Sequence, residues 1–193
     1  MRWTRSDGCG VCKWMPQCRR SVNLVVIRLQ PMQRVISLGG PLVLLPSSDV
    51  ARWIYEFGDS PTPDSGLYKM ACSVERYCGI ITPWDTPLII FGDEPADTYY
   101  TQQMGFHLFF RWIGAESIEQ LSEFALNVAR TDKWDETMTI DITTPAMTLM
   151  DTCSNDLSPR INVSLQPGPY TMQSCYSTTS GVMAIVHKLE NAG

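Results

Sequence analysis

TMTIDI (137–142), AMTLMD (146–151), INVSL (161–165), YTMQSCY (170–176) and VMAIVHKL (182–189) follow one another in the last third of the chain, separated by short stretches that hold proline, glycine or serine. Several alternate polar with apolar residues. A strand sends successive side chains to opposite faces, so this period of two predicts antiparallel strands with one wet face. Regular strand–helix alternation, the mark of a doubly wound parallel sheet, is missing. The fold expected is α+β: a mainly antiparallel twisted β-sheet with two helices packed on it.

Moving toward the N-terminus, Ser117 with Gln120 three residues on forms a capping box. Ile118, Leu121, Phe124, Ala125 and Val128 continue it as the apolar stripe of a helix. Ahead of it, β-branched and aromatic content predicts strands at 67–74, 79–82, 87–91 and 106–113. Residues 59–66, with Pro61 and Pro63, read as a surface loop. The other helix starts after Pro46-Ser47-Ser48, carries Val50, Trp53, Ile54 and Phe57 on one face, and ends at Gly58. Before it, residues 35–45 read as a bent or split strand, broken where Gly39-Gly40-Pro41 permits tight backbone geometry and removes a ladder donor.

The 193 residues, 44% hydrophobic and 18% charged, suit one globular domain. Charge is unevenly spread. Residues 1–34 carry seven basic side chains (Arg2, Arg5, Lys13, Arg19, Arg20, Arg28, Arg34) against Asp7 alone, whereas the remainder carries eight basic residues against nineteen acids. A boundary is therefore expected at about 34, with a basic N-terminal extension over 1–34 and one domain over 35–193. The acidic body suits a basic partner, or simply a soluble surface, and argues against direct binding of nucleic acid, which needs clustered Lys and Arg. Seven dispersed cysteines fit a reducing compartment, and neither a signal peptide nor a membrane span is legible, so a cytoplasmic location is expected.

Motifs for chemistry are sparse. Cys9-Gly10-Val11-Cys12, with Cys18 as a third thiol, is the basis of an alternative reading as a small thiol redox or metal-binding protein. No nucleophile elbow, phosphate-binding glycine loop or histidine pair at metal spacing is present, and His107 and His187 sit in apolar strands as structural histidines would. Asp93-Glu94, between Gly92 and Pro95, reads equally as a solvated turn or as an acidic loop offered to a partner. A hydrolase built on these two acids is a third possibility, requiring a deep pocket. Arg111 is open between snorkelling and interface anchoring, and Trp112 reads as core. With no catalytic constellation, metal site or cofactor motif, the chain reads as a binder of another protein rather than an enzyme.

Taken in order, residues 37–46 (SLGGPLVLLP), the Trp53 helix, Tyr68 with Ala71-Cys72, Gly79-Ile80-Ile81, Phe91-Gly92-Asp93-Glu94-Pro95 and Phe110-Arg111-Trp112 form a recognisable string. From about Met32 to Leu189 the chain resembles the Immunity protein 21 family. The resemblance implies a short intracellular bacterial α+β protein, encoded beside a polymorphic toxin, that neutralises its cognate toxin by binding it. Such proteins begin a few residues before the Gly-Gly-Pro segment, so Met32 is expected to be the native start and residues 1–31 an upstream extension. The expected partner-binding residues are Asp93, Glu94, Asp97 and Arg111. Gly39, Gly40, Pro41, Trp53 and Trp112 are expected to serve structure.

Overall fold

Short apolar runs bury both of their faces in this molecule, and that makes it four layers deep. In β2 (Leu42–Pro46), Leu42 and Leu44 enter an interior between two sheets, while Val43 and Leu45 point the other way, toward helices. In β4 (Leu88–Phe91), Ile89 and Phe91 point inward and Leu88 and Ile90 outward. Strands covered on both sides need no polar face, so they read as continuous apolar runs. The structure, a computed structural model, describes residues 32–58, 66–92, 94–103, 105–131, 133–155 and 157–193.

Among the described residues, eleven strands form two antiparallel sheets. The six-stranded sheet has the order β1 (Gln33–Val35), β5 (Thr98–Gln103), β6 (Phe106–Gly114), β11 (Val182–Asn191), β10 (Gly168–Thr179), β7 (Glu136–Ile142). The five-stranded sheet has the order β3 (Gly79–Ile81), β4, β2, β8 (Ala146–Asp151), β9 (Ile161–Ser164). Phe91, Phe109, Leu149, Met172 and Leu189 are among the side chains that fill the space between the sheets. Helix α3 (Ile118–Val128) covers the outer face of the six-stranded sheet through Leu121, Ala125 and Val128, against Leu108, Phe110 and Val186. Helices α1 (Val50–Gly58) and α2 (Gly66–Cys72) cover the five-stranded sheet, with Trp53, Leu67 and Ala71 against Val43 and Ile90.

The α+β class and the antiparallel pairing agree with the sequence, but among the described residues there are two sheets in place of one and three α-helices in place of two. The stretch expected as a strand at 67–74 contains α2. Its buried residues Leu67 and Ala71 stand four apart, one above the other on a helix face, and this spacing outweighs the β propensity of the local composition. The cap at Ser117 forms as read, with Ser117 Oγ accepting from Gln120 N at 3.2 Å, while Gln120 Oε1 reaches back one residue further than in a capping box, to Glu116 N at 2.9 Å. The split strand at 35–45 is divided between sheets, β1 in one and β2 in the other. Arg34, counted with the basic extension, lies within β1.

Candidate functional site

Splitting that strand between sheets forces the chain to cross the end of the sandwich. It crosses at residues 36–41 and again at 92–97, between β4 and β5. The two crossings meet: Asp97 accepts from Ser37 N at 3.0 Å and pairs with Arg34 at 2.5 Å. A cleft of about 180 Å³ is lined in part by Gly39, Gly40, Gly92 and Pro95. Asp151, at the end of β8, is fully buried beneath them and accepts from Leu38 N and Cys153 N, both at 2.7 Å. Burial raises the pKa of its carboxyl, and these backbone amides oppose the rise. Sequence reasoning passed over Asp151; its only signal was a carboxylate at a strand end followed by a polar turn.

The acidic crossing is held from inside. Arg111, on the inward face of β6, is 0% exposed and donates to the carbonyl oxygens of Gly92 and Glu94. Its planar fork reaches from one sheet to the crossing that leaves the other. Arg111, expected among the partner-binding residues, is thus buried, and its guanidinium positions the loop. Glu94 is exposed, Asp97 is half-buried and engaged with Arg34 and Ser37, and Asp93 lies outside the described residues.

A third segment, 73–78, packs beside these crossings. A side chain at Gly92 would come within 2.5 Å of the Val74 carbonyl and 2.6 Å of that of Arg76, so only glycine fits. Glu136, at the start of β7, accepts from Tyr77 N at 3.4 Å and Cys78 N at 3.2 Å. Between this segment and strands β7 and β10 opens a cavity of about 490 Å³. Ser174 lines it and shares a 2.8 Å hydrogen bond with His187 Nδ1 behind it. Burial pushes the Cys78 thiol far up, and burial together with the charge of Arg111 keeps His187 well below its ordinary value. Cys78, Ser174 and His187 therefore form a line of neutral groups, suited to hydrogen bonding and without an activated nucleophile.

The remaining candidates are structural in their contacts. A Cβ at Gly40 would lie 2.8 Å from Thr152 Oγ1, and the Pro41 carbonyl accepts from Thr152 N at 3.0 Å. Trp53 is fully buried and donates its indole N–H to the Thr152 carbonyl at 3.1 Å. Trp112 is half-buried in the cluster under α3. His107 is buried, shares a 2.8 Å hydrogen bond with the Tyr100 hydroxyl, and is held by burial at a pKa of about 4. Tyr68 hydrogen-bonds Cys72, which with burial raises its phenol to about 12. Cys9, Cys12 and Cys18 lie outside the described residues.

Residues scattered through the string Gly39-Gly40-Pro41, Tyr68, Ala71-Cys72, Gly92, Pro95 and Arg111 thus gather at one end of the sandwich. The family model for Immunity protein 21 matches residues 33–181. The chain belongs to the Immunity protein 21 family. Membership makes it an immunity protein, with a protein as the partner implied. The match runs from β1 to the turn after β10 and takes in both crossings, the 73–78 segment and Arg111. No curated protein and no solved structure matches the chain. Among the described residues, no helix of this family member is long and apolar enough to cross a membrane.

Proposed function

We propose that this immunity protein neutralises a cognate polymorphic toxin in the cytoplasm by docking on it through the end of the sandwich where the 36–41, 73–78 and 92–97 segments meet. Asp93, Glu94 and Asp97 supply negative charge, and Arg111 acts one layer deeper by fixing the loop. The observation that carries the reading is the convergence of the family-matched segments on that end, around an acidic loop pinned by a buried guanidinium. Backbone already held at Gly92 and Glu94 loses little freedom on binding. Its charge, on an otherwise acidic body, raises the encounter rate with a basic surface. Inhibition follows by covering the toxin's active site or blocking its motion.

The test is co-expression with the toxin domain encoded in the adjacent reading frame. The wild-type chain is expected to restore growth and to co-purify with the toxin. The double variant Asp93→Lys/Glu94→Lys is expected to fold normally and to protect less. Growth arrest that the wild-type chain never relieves would overturn the neutralisation reading. Undiminished protection by the double variant would remove the acidic loop from the interface.

A further inference from the structure

We propose that the cavity beside the acidic crossing is a socket for one arginine side chain of the toxin partner. This rests on the docking reading above and adds to it a site and a ligand chemistry. The cavity opens between the 73–78 segment and strands β7 and β10, and its volume of about 490 Å³ falls within the range of ligand pockets. Its walls include Val74, Cys78, Met138 and Met172, surfaces that suit the methylene stem of a long side chain; methionines adapt to such a guest because they are unbranched.

The polar groups of the cavity select the tip. Glu136 is oriented by the backbone amides of Tyr77 and Cys78, one on each carboxylate oxygen. Each oxygen retains a second lone pair, so the carboxylate can still accept an N–H of a guanidinium alongside these amides. Glu75 lines the same cavity and Arg76 opposes it, leaving two carboxylates against one cation. Ser174 offers a hydroxyl, itself fixed by His187. The socket adjoins the acidic crossing directly, because Val74 lines both the cavity and the cleft that holds Gly92 and Pro95. A basic surface guided in by Glu94 is thereby brought near this opening. A buried arginine seated in a pocket is the kind of contact that dominates interface energetics.

The probe is Nα-acetyl-arginine amide, titrated into the full chain with isotopically labelled methionine methyls, with Nα-acetyl-citrulline amide as the neutral isostere. Saturable shifts of the Met138 and Met172 methyls with the arginine compound, absent with citrulline, are expected. Glu136→Gln should weaken the arginine response about three- to fivefold, and Arg76→Ala should strengthen it. Should Glu136→Gln fail to fold, Glu75→Gln, at an exposed position, is expected to weaken it in the same direction. No response to arginine, or an equal response to citrulline, overturns the socket. Full toxin protection by the Glu75→Gln/Glu136→Gln double variant, with wild-type protection intact, also overturns it while leaving the neutralisation reading standing.

Discussion

Arg111 shows how a surface property is set by a residue that has no surface. Its guanidinium donates to two carbonyl oxygens of the crossing that carries the acidic loop. Arg111→Met is expected to lower unfolding free energy in urea by about 2–4 kcal/mol, because two charge-assisted bonds are lost and the buried Gly92 carbonyl loses its guanidinium partner. Arg111→Lys should recover only part, since an ammonium lacks the fork. His107 makes a second test at this scale. Its folded pKa of about 4 lies below the ordinary 6.5, so between these values the unfolded chain binds a proton that the folded one refuses. Stability from this residue is complete above 6.5 and is lost as pH falls through about 4, by up to about 3 kcal/mol. His187 acts in the same direction, and Asp151, whose value is raised, in the opposite one. The diagnostic is thus the difference between wild type and His107→Gln: urea midpoints from pH 7 to 4.5 should fall less steeply in the variant.

At the scale of elements, the molecule depends on close approaches between the segments that leave and enter the five-stranded sheet at one end of the sandwich. Gly92 lies against the backbone carbonyls of Val74 and Arg76, which cannot rotate away as a side chain can. Gly92→Ala is expected to destabilise by about 2 kcal/mol or more and to displace the acidic crossing from the 73–78 segment. Gly40→Ala meets the Thr152 hydroxyl and the Cys153 thiol instead, both ends of side chains, and should cost less. Thermal unfolding of the two variants side by side checks the ranking. Helix α2 belongs to the same argument. The sequence reads it as part of a strand, because two apolar residues at a spacing of four, Leu67 and Ala71, are too few in so short an element to establish a helical period. Only packing on Val43 and Ile90 settles its conformation.

For the whole molecule, the relevant quantity is the field of an acidic body on a partner's approach. If the acidic end guides docking, raising ionic strength from low to physiological should slow association with the toxin, and charge reversal at Glu94 should slow it further at low salt only. Stopped-flow association rates at several salt concentrations separate this from an effect on the socket, where loss of contact changes dissociation. A salt-independent association rate would show that charge does not steer the encounter. The ion pair of Arg34 with Asp97 is partly exposed and adds little stability. Its place in β1 also ties that edge strand to the acidic crossing.

The sequence by itself determined the α+β class, the antiparallel C-terminal strands, the capped helix at Ser117 and the family, because period, caps and an ordered string of residues are local signals. It could not reveal two sheets in place of one, since a strand such as Leu42–Pro46 looks equally apolar whichever sheets or helices cover it. Nor could it assemble the candidate site. Gly40, Gly92, Arg111, Glu136 and Asp151 are far apart along the chain and adjacent only where the crossings meet. Tertiary structure alone decided that Arg111 is buried while Glu94 is exposed, because burial of a charge depends on carbonyl partners that arrive from another sheet.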